Sequence, residues 1–439
     1  MLINSYQLIL LVYKIIIFLY KIRPLKFIIN WCISRNLKNY IKKKIFFLEL
    51  NSINFFKKKY LKYYTPNKKI KNSIFIEVYS LRPNSYGGIR RVTSEIVERF
   101  KNDSILNTKY KIKFFIFDNF YFNFKIIDIN SFTTKKKFIF TEIIYPKKKD
   151  KVLLLGNDII NITKYRKHLF FLKQNGVKFY TLIYDILPFL KPIWFDVPKY
   201  KQLFKKFILS LAFNHKILTI SKKVKFDLFK NFNQYFKNKY IIPIKLGADF
   251  SQKKKLICPI KKNNKKNLIN FLIVGTLEPR KGHLDIIKTF NHLFLENNNL
   301  TLHIVGKKGW NYNQILKSLE ESVFYNTNLF YHEDLDDEEL NKIYVNSDII
   351  IVPSFDEGFG LPIIEALNYK KLVIARDIPV FRELAQKNLY YFPDKKINDI
   401  KNFFANFIFK YKENKIKIRT ISAYKWDNTY RQIKNICNI

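Results

Sequence analysis

Two short blocks of this sequence combine residue types that handle phosphate and hydroxyl groups. Residues 353–365 read PSFDEGFGLPIIE. An apolar run ends at Pro353, Gly358 and Gly360 lie in a loop, and Leu361-Pro362 opens a helix, where proline is favoured. Glycines at Gly358 and Gly360 let backbone come close to a ligand, and the free amides of residues 358–361, Phe359 included, can hold an anion at a helix start. Glu357 lies in the loop and Glu365 about one turn into the helix, where a carboxylate can accept hydrogen bonds from ribose hydroxyls. Residues 275–283 read GTLEPRKGH. Here Gly275 follows a buried strand, and Arg280 and Lys281 stand together. Two cations at a glycine turn suit a diphosphate, and arginine adds a fork of donors. Alone, either block can be a solvated turn with surface charges; the recurrence of both in one α/β unit argues for a shared site.

The elements that must carry these blocks alternate. Residues 73–80, 113–117, 152–155, 179–183 and 217–220 read as buried strands, with helical stretches between them such as 200–213. A polar, basic run at 251–267 (SQKKKLICPIKKNNKKN) marks a linker. Beyond it the spacing predicts strands at 269–274, 300–305, 329–331, 349–353 and 372–375. Helices are expected from about 283, around 312–321, at 338–346 behind Asp336 and Asp337, and from 361. Strand–helix alternation predicts parallel sheets covered on both faces. Only 11 glycines occur in the chain. Most of them, Gly87, Gly88, Gly247, Gly275, Gly282, Gly306 and Gly309 among them, fall in loops between strand and helix, on the edge where open α/β sheets bind ligands.

The chain has 439 residues, enough for two or three domains at roughly 150 residues each. Its 80 basic and 35 acidic residues give a net charge of +45. Lysine, asparagine, isoleucine, phenylalanine and tyrosine are all abundant, so part of the charge is compositional bias. It still draws the surface toward anionic partners. Lysine runs at 42–44, 57–59 and 253–255 read as solvated faces. The lysines are spread along the whole chain and form no nucleic-acid motif, so a specific nucleic-acid partner is not expected. Cys32, Cys258 and Cys437 are few and distant, which excludes a disulfide framework and fits a reducing compartment. No His/Cys cluster predicts a metal. The apolar stretch 8–20 contains Lys14 and is too short to span a bilayer. Residues 1–70 are expected to form a basic, aromatic extension, either lying at an anionic membrane surface or packed as an ordinary helical segment.

With these residues in view, a resemblance emerges. Residues 271–283 and 349–365 resemble the Gly-x-x-x-x-x-Lys-Gly loop and the Pro-Ser-x-x-Glu-Gly-Phe-Gly-Leu-Pro-x-x-Glu block of the family-4 retaining glycosyltransferases of the GT-B fold. Residues 336–340, Asp348, 375–383 and 424–427 (YKWD) also fit. In the first half, residues 87–91 (GGIRR), 184–188 (YDILP), 219–221 (TIS) and 246–249 (LGAD) fit more loosely. The resemblance covers residues 73–437. It implies two Rossmann-like domains facing across a cleft: an acceptor domain at 71–255, a donor domain at 256–420, and a last helix at 421–439 crossing back.

The resemblance implies that the co-substrate is a nucleotide-sugar, that no cofactor or metal is needed, and that the acceptor is a glycan or lipid-linked intermediate of surface polysaccharide assembly at the cytoplasmic face of a membrane. Arg280 and Lys281 would hold the donor diphosphate and stabilise the leaving group. Glu365 would bind ribose, and Glu357 with the 358–360 amides the donor sugar. Gly88 would face the diphosphate from the other domain, and Asp185 the transferred sugar or acceptor. Where many relatives carry His before that Asp, this chain has Tyr184, so a contact made through His is not carried over. A sugar-nucleotide epimerase or phosphorylase of the same fold is the alternative, with no lysine motif for a pyridoxal cofactor in evidence.

Overall fold

In the computed structural model, the described residues are 71–439 except 84–86, 120–121, 131–137, 196, 198, 248, 250–267, 386–387, 395 and 419–423. They lie within the unit Pro66–Ile439. The 1–70 extension and its membrane-surface reading, the three lysine runs and the 251–267 linker fall outside them. Among the described residues no helix is long and apolar enough to cross a membrane.

Two sheets organise this unit. The first contains β1 (Ser73–Glu77), β2 (Lys111–Phe117), β3 (Phe124–Ile127), β4 (Phe140–Ile144), β5 (Lys151–Leu154), β6 (Lys178–Ile183), β7 (Lys216–Thr219) and β8 (Ile241–Pro243), in the order β4-β3-β2-β1-β5-β6-β7-β8. The expected strands are parallel. The sequence pattern missed β3 and β4, which extend the edge antiparallel; they need only short connections, so no helix separates them to signal their presence.

The second sheet contains β9 (Ile269–Val274), β10 (Leu300–Val305), β11 (Leu329–His332), β12 (Ile349–Val352), β13 (Leu372–Arg376) and β14 (Tyr390–Phe392). Every pairing in it is parallel. The run INFLIV at β9 explains why. Phe271 and Ile273 enter one core cluster with Phe290 and Phe404, while Leu272 enters another with Ile350 and Ile363. A strand covered on both faces is apolar along most of its length, with Asn270 near its start bonded to Asp348 and the Asn346 carbonyl, and each buried apolar side chain contributes about 1.5–3 kcal/mol.

The order β11-β10-β9-β12-β13-β14 reverses direction between β9 and β12. That switch point opens a crevice at the carboxyl ends of the two strands. The turns following β9 and β12 are the two blocks singled out above. In the first sheet the corresponding switch lies between β1 and β5, and helix α1 (Gly88–Asn102) follows β1.

Candidate active site

The turn after β9 is a single 3₁₀ turn, Pro279–Lys281, closed by Gly282 at φ +71° before helix α2 (His283–Glu296). Only glycine fits position 282. A Cβ there would stand 2.2 Å from the Pro353 carbonyl oxygen, besides the left-handed backbone. This close approach presses the Arg280-Lys281 pair against the loop after β12, and the Phe355 amide donates to the Arg280 carbonyl at 2.8 Å.

Both cations then converge on one carboxylate. Lys281 Nζ lies 2.5 Å from Glu357 Oε1 and Arg280 Nη1 lies 3.2 Å from Oε2. Ser354 Oγ donates to Oε1 at 2.9 Å, and Arg280 Nε also reaches Glu278 at 2.6 Å. Glu357 is 8% exposed. Burial pushes its pKa up, but Lys281 and Arg280 outweigh that and hold it down at about 2. The Arg280 pKa moves up: burial works against the charge, and Glu357, Glu278 and Asp185 together more than offset it.

Asp185, just beyond β6, supplies the first domain's charge. Its Oδ1 accepts from the Leu187 amide at 2.9 Å, and the side chain interacts electrostatically with both Arg280 and Glu357. Burial raises its pKa, Glu357 adds to the rise, and Arg280 pulls it down.

A second group lies one helical turn further along. Helix α4 (Leu361–Asn368) starts at Gly360, φ +110°, and carries Glu365. Glu365 forms an ion pair with Arg91 of α1, and Tyr344 Oη donates to it at 3.4 Å. Tyr344 belongs to helix α3 (Asp337–Asn346), whose start is held by an Asp336–Glu339 capping box. Gly88 meets this helix start: a Cβ on it would lie 3.0 Å from Leu361 Cδ1. Gly358 meets the first domain even more closely, with room for a Cβ only 2.0 Å from the Tyr184 carbonyl oxygen. Gly275 backs the Gly306 loop, where a Cβ on Gly306 would stand 2.0 Å from the Gly275 carbonyl oxygen. Phe359 is buried and turns the other way, into a cavity of about 290 Å³ shared with Ile220, Ser221 and Glu383.

So Arg280, Lys281, Glu357 and Asp185 form one electrostatic group, and Gly88, Leu361, Glu365 and Arg91 a neighbouring one, both built from the two domains together. Tyr184 does not join either through its phenol. Its Oη donates to the Leu155 carbonyl at 2.8 Å and stands 3.3 Å from Thr93 Oγ1, inside the first domain.

Sequence reasoning placed several residues in matching segments but gave no role to them, and they hold this arrangement. Arg376 is fully buried. Its Nε donates to the Pro353 carbonyl at 2.8 Å, Nη2 to Asp285 at 2.7 Å and Nη1 to Asp394 at 2.6 Å, with the guanidinium 3.9 Å from the Phe355 ring centre. An arginine closing the apolar run LVIAR was the available signal, since a buried cation needs partners. Glu383, on the helix Pro379–Ala385, accepts from the Lys222 and Lys223 amides at 2.7 and 3.0 Å, across the domains. Trp426 packs on Gly247, and its amide donates to Asp249 at 2.5 Å. Two sequence segments far apart in the chain thus join where helix α5 (Trp426–Cys437) lies on the first domain, with Lys434 2.7 Å from Asp103.

Residues 255–416 match the family model for glycosyl transferases group 1. The second sheet and its loops therefore resemble a group 1 glycosyltransferase domain. Over 145 residues it is 41% identical to the serotype-specific mannosyltransferase WbdA of Escherichia coli, covering 33% of this chain and 18% of that one. The O-antigen chain mannosyltransferase RfbU of Salmonella typhimurium is 29% identical over 216 residues, 48% of this chain and 56% of the relative. The matches therefore span less than two thirds of these relatives' length. Among solved structures, Anabaena HepE in complex with UDP and glucose aligns with a TM-score of 0.59 at 15% identity, covering 84% of this chain and 99% of that one. The lipopolysaccharide outer core galactosyltransferase WaaB aligns at 0.54 and 16%, with the same coverage. The two α/β domains are those of the GT-B fold, and the residues that match the group 1 model contribute the Arg280–Lys281–Glu357 cluster.

Proposed function

We propose that this protein transfers a hexosyl group from a nucleotide-sugar to a hydroxyl of a glycan or lipid-linked acceptor, with retention at the anomeric carbon, in surface polysaccharide assembly at the cytoplasmic face of a membrane. The observation that carries the reading is the convergence of Arg280 and Lys281 on Glu357 at the switch point of the second sheet, facing Asp185 of the first domain. The names of the mannosyltransferase relatives favour mannose as the sugar.

In the reaction the bond from the anomeric carbon to the diphosphate oxygen breaks and a bond to the acceptor oxygen forms. The acceptor proton leaves to the departing nucleoside diphosphate. Negative charge grows on the diphosphate, and fixed cations placed there act most strongly in the transition state. Arg280 and Lys281 supply that charge in a metal-free reaction. Glu357 orients both side chains and receives the sugar hydroxyls, Glu365 takes the ribose, and Gly88 lets α1 approach the diphosphate. A glycosidase would need two carboxylates flanking the scissile bond; here Glu357 is engaged by cations.

The test is a thermal-stability screen of the full chain with GDP-mannose, UDP-sugars and the free diphosphates, followed by product analysis. A nucleotide-dependent rise in melting temperature and an α-linked product from an α-linked donor are expected. Stabilisation by none of the nucleotides would refute the reading. An isomerised free nucleotide-sugar without transfer product would reassign the protein as an epimerase.

A further inference from the structure

Beside the charged group lies an aromatic surface that the mechanism does not use. Trp310 sits in the loop after β10, and this loop is clamped to the Arg280 turn. The Leu277 amide donates to the Lys307 carbonyl at 2.9 Å, and the Gly309 amide returns to the Leu277 carbonyl at 3.1 Å. A Cβ on Gly309 would lie 2.5 Å from Thr276 and 2.6 Å from Glu278, the same Glu278 that pairs with Arg280. From the first domain come Phe195 and Tyr200. Their ring centres lie 6.4 Å from that of Trp310 and 5.7 Å from each other. Asn311 Nδ2 reaches the Ile193 carbonyl at 3.4 Å, across the domains. Tyr200 in turn feels the Asp185 carboxylate electrostatically.

The chain of neighbours therefore runs outward from Arg280 through Asp185 and Tyr200 to Trp310. It ends at solvent: Trp310 is 38% exposed and Ile193 82%. Clustered exposed apolar groups mark binding surfaces, whereas scattered ones need no explanation. An indole ring has a broad apolar face and one N–H donor. A pyranose presents a matching apolar face of C–H groups and a rim of hydroxyls.

We infer that Trp310, backed by the half-buried Phe195 and Tyr200, forms a stacking platform for the pyranose ring of the acceptor, which aims its hydroxyl at the Asp185 end of the cleft. This rests on the glycosyltransferase reading and adds the acceptor class to it: a glycan whose terminal sugar exposes its apolar face. The platform joins side chains of both domains.

The test uses the full chain, the nucleoside diphosphate giving the largest thermal shift, and an α-linked mannose trisaccharide as probe. Saturation-transfer NMR reads the sugar C–H protons and the nucleotide protons separately. The wild-type protein transfers saturation to both. Trp310→Ala lowers the sugar signal at least about fivefold and leaves the nucleotide signal in place, while Trp310→Phe retains most of the sugar signal, because a smaller ring keeps part of the stacking face. An unchanged sugar signal in Trp310→Ala overturns the platform, as does no sugar signal in the wild type. Loss of binding to anionic phospholipid vesicles in Trp310→Ala, with the sugar signal intact, would assign the surface to a membrane instead. If no nucleotide stabilises the wild type, the underlying function fails, and the platform with it.

Discussion

Lys281 and Glu357 stand 2.5 Å apart, one from the turn after β9 and the other from the loop after β12. Because Arg280 shares the same carboxylate, the two loops are joined by charge as well as by the glycine contact at Gly282. Under the proposed function, a diphosphate entering here would meet cations already oriented by Glu357.

Lys281→Ala should lower turnover by about a hundred- to a thousandfold, the usual effect of removing one group that stabilises developing negative charge. Glu357 keeps Arg280 as a partner, so the fold survives. Steady-state kinetics set beside the thermal midpoint checks this; near-normal turnover would rule out the leaving-group role.

Glu357 links the cluster to pH. Its folded pKa, about 2, lies below its ordinary 4.5. The carboxyl binds its proton less readily when folded, so its stabilisation is in place above pH 4.5 and is lost as pH falls through about 2. Denaturant unfolding across that window should lose stability on acidification. Glu357→Gln should flatten the slope while lowering stability at neutral pH.

Arg376 should prove costly to remove. Arg376→Met leaves Asp285, the Pro353 carbonyl and Asp394 without their shared donor, and breaking such a buried pair costs about 3 kcal/mol or more. Asp285 and Asp394 are 23% and 55% exposed and can rehydrate, which keeps the loss near the lower end. Arg376→Lys recovers little, because an ammonium cannot reproduce a fork aimed at three acceptors. Chemical denaturation midpoints would decide this; no difference between Arg376→Met and wild type contradicts it.

Glu365→Gln should weaken nucleotide affinity about tenfold, near 1.4 kcal/mol, by replacing a charged acceptor with a neutral one. Arg91→Ala should weaken it less, and its effect should shrink with added salt, since Arg91 is 41% exposed. Calorimetric titration at two ionic strengths separates the two.

Gly358→Ala places a methyl group 2.0 Å from the Tyr184 carbonyl oxygen, so either the loop or the domain contact must shift. Activity should fall sharply, with a smaller loss of thermal stability; unaltered kcat would show that this contact is dispensable.

Much of the second domain was legible in the chain. β9 and β10 begin and end where the mainly apolar runs do, because strands covered on both faces bury most of their side chains, and α4 starts at Leu361 because Gly360 and Pro362 stop and start a helix there. The types of Arg280, Lys281, Glu357 and Glu365 were legible for the same local reason: glycine turns and charges leave a mark at short range. The edge strands β3 and β4, the engagement of both cations by Glu357, the three-way grip of Arg376 and the inward turn of the Tyr184 phenol were not. Each depends on segments distant in sequence being brought into contact, and the side chains that a carboxylate or guanidinium will meet are decided by how loops pack at the two sheet edges, which no local pattern encodes.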